Sequence, residues 1–432
     1  MESINIFWFR RDLRTDDNHG LFQALNAGLP VVPLFIFDPS ILAQFPDPSD
    51  PRLTFIHNNL KVLDVEFRNH NSSLQVYFST PEVVFGQLTS KYSVHSVYCN
   101  TDYEPAAIAR DQKVERLLQE KGIEFYSYKD QVIFHQDEVT KAYGNPYTVF
   151  TPYSKKWKEK LETDPILFFE SERLLFMLKH FQADYFPELP EIGYQPQNVQ
   201  FPEKTLDNSL IENYSRTRDF PAENGTSRLG IHLRYGTISI RKLTQFARIH
   251  SEVFLNELIW RNFYMDILWH FPHVAERSFK PAYDSIDWRN NEEEFERWCT
   301  GQTGYPLVDA GMRELNETGY MHNRVRMVVA SFLTKHLLID WRWGEAYFAC
   351  KLFDYELSSN NGGWQWASGS GCDAAPYFRV FSPELQTKKF DAKLEYIRKW
   401  VPEYGTPVYR QPIVDHAFAR NRAIEIYRNA LK

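Results

Sequence analysis

The sequence predicts an α/β protein: an N-terminal, Rossmann-like parallel-sheet domain followed by a mostly α-helical domain. Three observations carry this expectation. Over the first 130 residues, short β-branched and aromatic runs alternate with segments of helical length, the pattern of a parallel sheet covered on both faces. From about residue 201 onward strand signals vanish and helical periodicity takes over. A chain of 432 residues is also too long for one ordinary core, so two or three domains are expected. The division expected is 1–130, a connector over 131–200, and a helical domain over 201–432.

The strands fall at INIFWFR (4–10), VVPLFIFD (31–38), LQVYFS (74–79), HSVYCN (95–100) and IEFYSY (123–128), with helices over Pro51–Arg68 and Glu104–Lys121. Where a dinucleotide-binding sheet carries GxGxxG after its first strand, this chain reads RRDLRTDDNHG, so that fingerprint is absent. Residues 131–200 lose periodicity and gather Pro, Tyr and Phe (GNPYTVFTPYSKKW, FPELPEIGYQPQ), as in a long connector with a few helical turns.

Net charge is −7, but residues 201–432 hold 30 Lys+Arg against 29 Asp+Glu, leaving 19 against 27 for the rest. That excludes a general basic coat and leaves room for a local basic groove. Nine of the eleven tryptophans lie after residue 201, so that half holds aromatic surface beyond simple packing. Cys99, Cys299, Cys350 and Cys372 show neither CxxC nor metal spacing, and no disulfide framework or metal site is expected. MESINIFWFRRD has the wrong charge order for a signal peptide. No uncharged apolar run nears the roughly 20 residues of a membrane helix. A cytoplasmic, reduced protein is expected.

Four stretches of the second half carry residues of chemical interest, and each alone admits two readings. In FLNELIWRNFYMDILW (254–269), Leu255, Leu258, Ile259 and Phe263 form one apolar stripe, while Glu257 and Trp260 share another face. Glu257 with Arg261 is also the pattern of a solvated helical ion pair. In TGYPLVDAGMRELNETGYMHNRVRM (303–327), a helix ends at Thr318-Gly319 and another begins near Tyr320. Asn323, Arg326 and Met327 share its polar face, and Arg324 points elsewhere, where it could meet a phosphate. A capped helix with solvated arginines reads as well, and the lone His322 is read as structural.

In KLFDYELSSNNGGWQWASGSGCDAAPYF (351–378), Asp354, Glu356 and Asn360 converge before a Gly362-Gly363 turn. They suit either a clamp on the edge of a flat heterocycle or a helix N-cap with acidic first-turn residues. In YSRTRDFPAENGTSRLG (214–230), Gly225-Thr226-Ser227-Arg228 precedes a helical run. That suits a pyrophosphate cradle or a plain N-cap.

Together these stretches, with FWFRRDLRTDDN (7–18), LLIDWRWGE (337–345) and NNGGWQWASGSGCDAAPYFRVFSP (360–383), resemble the photolyase/cryptochrome family. The likeness is strongest to its class I cyclobutane pyrimidine dimer (CPD) photolyases, and several long motifs occur in the right order along nearly the whole chain. The resemblance implies FAD folded in the helical domain, its pyrophosphate over Thr226, Ser227 and Leu229 with Tyr214 nearby. It implies Asp354 paired with Arg326 beside the isoalloxazine, and Asn360 facing the flavin N5, where a neutral amide suits an anionic reduced ring better than a carboxylate. The implied substrate pocket holds Glu257, Trp260, Asn323, Met327 and Trp366, with Glu257 on a pyrimidine carbonyl and the two tryptophans as an aromatic wedge. Arg218, Arg324 and Arg379 match phosphate-gripping positions. Trp364, Trp341 and Trp288 match an electron relay running from the flavin to the surface. The implied partner is UV-damaged DNA containing pyrimidine dimers, acted on by a monomer.

Three positions depart from the family pattern. Glu356 stands where an aspartate is usual, Gly230 where a serine follows TSRL, and Ala107 where folate-antenna members carry glutamate. A second chromophore is therefore open between a deazaflavin, another flavin and none. The same family includes light-sensing cryptochromes and (6-4) photoproduct photolyases. Asn323 occupies a position where the latter carry histidine, and the chain stops at Lys432 without the extension usual in signalling cryptochromes, so CPD repair is the expectation.

Overall fold

The structure, a computed structural model, describes residues 2–183 and 185–432. The chain divides into two compact units that interleave in sequence. The first holds residues up to His135 with Leu161–Thr205 and Leu229–Phe246; the second holds Gln136–Lys160, Leu206–Arg228 and Ala247–Lys432. Residues 131–200, expected as a connector, are thus shared between the units, and Leu229 belongs to the first.

The first unit is built on a five-stranded sheet of β1 (Ser3–Phe9), β2 (Val31–Phe37), β3 (Gln75–Phe78), β4 (Ser93–Asn100) and β5 (Glu124–Tyr128). Its order is β3-β2-β1-β4-β5 and every pairing is parallel. All seven residues of β2 and six of seven in β1 are buried, which is why these strands read as unbroken apolar runs. Helices α1 (His19–Asn26), α2 (Pro51–Arg68), α3 (Pro81–Lys91) and α4 (Pro105–Gln119) alternate with the strands.

The turn after β1 explains the missing glycines. Arg10 pairs with Asp111, Arg11 bridges Asp102 and Glu104, and both Arg14 and Arg241 hold Asp130. Burial would raise the Asp130 carboxyl, but the two guanidinium groups outweigh it and hold it below the usual range. Charged side chains fill the place where a dinucleotide would need bare backbone.

The second unit is helical: α5 (Phe150–Thr163, of which Leu161 onward counts with the first unit), α6 (Glu252–His270), α7 (Pro306–Thr318), α8 (Asn323–Ser331), α9 (Trp341–Lys351), α10 (Leu357–Ser368) and α11 (His416–Ala430) are its longer helices. Its core joins Trp298, Trp341 and Trp364 to aliphatic residues of α7 and α8. The stripe Leu255, Leu258, Ile259, Phe263 is buried as expected.

Three local expectations are corrected. α5 is a full 14-residue helix inside the supposed connector, because Phe150, Tyr153 and Trp157 recur at helical spacing and the latter two are buried. α8 begins at Asn323 rather than near Tyr320. Gly319 takes a left-handed φ of 65° to close α7, and His322 Nδ1 caps α8 by accepting the Arg324 N–H at 3.1 Å. Gly362-Gly363 is no turn: both lie inside α10.

Candidate functional site: a cavity between helices of the second unit

α6, α8, α9 and α10 surround a cavity of about 400 Å³. Glu257 and Trp260 reach it from α6, Asn323, Arg326 and Met327 from α8, and Asn360, Trp364 and Trp366 from α10. Asp354 and Glu356 line it from the segment before α10, and Arg218 from the loop after Tyr214–Thr217. Eleven of the residues expected from sequence, Glu356 among them, therefore converge on one concavity.

Its polar groups are held in place by specific partners. Arg326 grips Asp354 through Nη2 at 3.1 and 2.9 Å, and its Nε donates to the Met321 carbonyl at 2.6 Å. Burial pushes the Glu257 carboxyl above its ordinary range, against the pull of Arg218, which pairs with it. Glu257 is therefore not simply one half of a solvated i,i+4 pair. His322 is pushed down to about 4 by burial, with Arg326 and Arg324 adding to the shift, so it stays neutral and caps α8.

Asn360 donates from Nδ2 to Glu345 Oε1 at 2.8 Å and to the Glu345 carbonyl at 3.2 Å. With its amide hydrogens so committed, Asn360 offers the cavity an acceptor oxygen. Burial raises the Glu345 carboxyl in turn. Glu345 went unnoticed in the sequence; its signal is a lone carboxylate within the aromatic run WRWGEAYF.

Other expected residues lie apart from the cavity lining. Thr226 Oγ1 meets the Tyr320 hydroxyl at 3.0 Å, and Leu229, not Thr226 or Ser227, is the cap residue of the following helix Gly230–Tyr235. Arg228 takes a left-handed φ of 53° beside Ser227. Tyr214 is buried edge-on to Phe254. Arg324 pairs with Asp219 at 2.7 Å and lies over Phe390, while Arg379 is exposed over Phe381.

Of the three tryptophans, Trp364 lines the cavity and is buried, Trp341 is buried, and Trp288 is half-buried against Tyr427. Trp364 approaches α9 at Gly344, where a Cβ would come within 2.1 Å of its ring. Gly344 is one turn from Trp341 on the same helix.

The glycines of α10 divide their work. A Cβ on Gly362 would meet the Tyr264 ring at 2.2 Å, whereas one on Gly363 would meet nothing within 4 Å, and Gly363 lines the cavity. Two helix-interior glycines cost about 1 kcal/mol each against alanine. Packing against Tyr264 accounts for the first; the second leaves room for a flat group at the backbone. With the acceptor amide of Asn360 and the Arg326–Asp354 pair, these residues fit an isoalloxazine ring.

Comparison with known proteins agrees. Residues 254–407 match the family model "FAD binding domain of DNA photolyase" and residues 5–168 match "DNA photolyase". A deoxyribodipyrimidine photo-lyase of Synechococcus sp. is 36% identical, covering 99% of this chain and 96% of its own. The structure resembles a class III photolyase of Agrobacterium tumefaciens (31% identity, TM-score 0.87, 100% and 98% covered). It also resembles a cryptochrome of Synechocystis sp. (25% identity, TM-score 0.87, 98% and 99% covered). Matched along its whole length by such relatives, and carrying in its helical unit a cavity whose lining fits a flavin ring, the chain belongs to the photolyase/cryptochrome family.

Proposed function

We propose that the protein is a light-driven DNA-repair lyase that splits cyclobutane pyrimidine dimers. The observation that carries this reading is the convergence of Glu257, Trp260, Asn323, Met327 and Trp366 on the same cavity as the flavin-matched residues Arg326, Asp354, Glu356 and Asn360. When bound, FAD supplies the photo-excited electron that opens the cyclobutane ring and takes it back.

The side chains supply everything else. Trp260 and Trp366 offer flat apolar surface to a dimer taken out of the stack. Glu257, its carboxyl raised by burial, and the neutral Asn323 amide present hydrogen-bonding groups where charge develops on a pyrimidine carbonyl. Asn323 is also the first residue of α8, where the helix dipole favours negative charge. Asn360, oriented by Glu345, would present its acceptor oxygen to a ring N–H of the bound flavin. Thr226 and Ser227, with Tyr214, would serve the pyrophosphate. Arg218, Arg324 and Arg379 hold backbone phosphates, giving salt-sensitive affinity. Trp364, Trp341 and Trp288 would relay electrons to the bound flavin from an external reductant such as a thiol, itself oxidised at the protein surface. A second chromophore would add an absorption band beyond those of FAD, which the spectrum of the purified protein reads directly.

The test is direct. Protein with fully reduced FAD, mixed with a CPD-containing oligonucleotide under near-UV or blue light, restores the pyrimidine absorbance. Likeness to a cryptochrome favours a second reading, a light-sensing receptor; absence of repair by fully reduced enzyme would move the assignment there.

A further inference from the structure

Trp260 lines the cavity, but one face of its indole is already covered. The Phe150 ring lies flat against it, centroids 3.6 Å apart and planes within 4°, and a second edge-on contact joins Phe150 to Phe263. Phe150 is the first residue of α5 and is not among the residues lining the cavity.

The same residue is tied to the segment that follows α10, the helix of Trp366. Its backbone N–H donates to Asp373 Oδ2 at 3.0 Å. Asp373 follows Gly371, whose own N–H returns to the Gln365 carbonyl at 3.0 Å, next to Trp366. One residue thus holds the plane of Trp260 through its ring and the segment of Trp366 through its backbone.

α5 cannot drift away from this position. The Tyr153 hydroxyl donates to Asp266 at 2.6 Å, Trp157 Nε1 to Asn262 at 3.2 Å, and Lys158 pairs with Glu252 at 2.7 Å. These contacts run along α6, the helix that carries Glu257 and Trp260. Phe263 meets Trp260 edge-on and Tyr264 meets it at a tilt, whereas Phe150 lies flat on it; without that flat partner the indole plane is less restricted, and binding must then immobilise it.

We propose that Phe150 is a positioning residue for substrate selection: it fixes the plane of Trp260 at the cavity wall, so that an extruded dimer meets a preformed aromatic face. The inference rests on the dimer-repair reading above.

The experiment compares wild type with Phe150→Leu, which keeps apolar bulk without a stacking plane, and with Phe150→Tyr, which keeps the plane. Flavin content, thermal midpoint, affinity for dimer-containing and undamaged oligonucleotides, and repair per absorbed photon at saturating substrate are measured on the flavin-loaded enzyme. Phe150→Leu is expected to weaken dimer binding roughly three- to tenfold, the range of a lost aromatic stack. Flavin content, affinity for undamaged DNA and repair at saturation stay at wild-type values, and Phe150→Tyr restores the dimer preference. Equal affinity of Phe150→Leu and wild type for the dimer overturns the inference. So does a parallel loss of flavin and of both affinities, which would mark Phe150 as structural support alone, or a Phe150→Tyr variant that behaves like Phe150→Leu. A wild-type enzyme with no preference for dimers overturns the repair reading instead.

Discussion

Gly363→Ala separates cofactor contact from folding, because its two effects have opposite signs. In the protein without flavin, the added methyl has no neighbour within 4 Å. Replacing a helix-interior glycine then stabilises by about 0.5–1 kcal/mol, which raises the thermal midpoint by roughly 1–4 °C for a unit of this size. Against bound flavin the same methyl enters the contact plane. Overpacking of that kind costs about 1–3 kcal/mol, or about five- to 150-fold in affinity. Gly362→Ala is the control. Its methyl would press on Tyr264 at 2.2 and 2.3 Å, so about 1–3 kcal/mol of overpacking outweighs a gain of about 1 kcal/mol in helix propensity, and the flavin-free protein loses stability. Thermal denaturation of the flavin-free variants and titration with FAD by fluorescence quenching read both quantities. A Gly363→Ala variant that binds FAD as wild type does would refute the placement of the ring at this backbone.

Glu257→Gln keeps the shape of the side chain and removes its charge; FAD content should be unchanged and repair per photon should fall severalfold, whereas loss of flavin would mean the residue serves the cofactor. Trp288→Phe should slow photoreduction of oxidised enzyme while chemically reduced enzyme repairs normally; equal losses in both assays would remove Trp288 from the relay. Asp266 is buried, and burial raises its carboxyl well above the usual range. Its contribution to stability is therefore complete below the unfolded carboxyl pKa and is lost as pH rises toward and through the folded value. Asp266→Asn still accepts from the Tyr153 hydroxyl and carries no ionisation cost, so its stability relative to wild type should rise from pH 5 to pH 8 in thermal denaturation. A variant weakened more at pH 8 than at pH 5 would contradict the assignment.

The sheet was legible because burial on both faces leaves strands such as VVPLFIF no polar position to alternate. The helix α5 was not, because its signal is an aromatic stripe set among prolines and lysines: Phe150, Tyr153 and Trp157 are spaced for a helix, while the flanking GNPY and the later FPELP spell irregular chain. The helix exists because its stripe lands on α6, which no local pattern reports. Glu345 was hidden for a related reason. Its importance comes from a hydrogen bond to Asn360, 15 residues on, and a lone carboxylate on a helix carries no mark of what it will face.

The Gly362-Gly363 pair shows how far residue chemistry reaches when its local conformation is misread. Two glycines beside two asparagines read as a turn, since glycine weakens a helix and asparagine favours caps. In the fold they stand in the middle of α10, and helix geometry then separates what sequence places together. Gly362 meets Tyr264 while Gly363 opens on the cavity. Trp364 turns into the core against Gly344, Phe348 and Trp298, and Trp366, two residues on, lies toward Phe381 at the cavity wall. A turn would have left both indoles on one surface. The helix assigns one to the buried core and one to the cavity wall, and the same four-residue step places Asn360 against Glu345 and Trp364 one turn on. The proposal that this stretch serves both a flavin and a second flat ligand rests on which side chains converge and not on a turn, and the helix brings Asn360, Trp364 and Trp366 to one cavity.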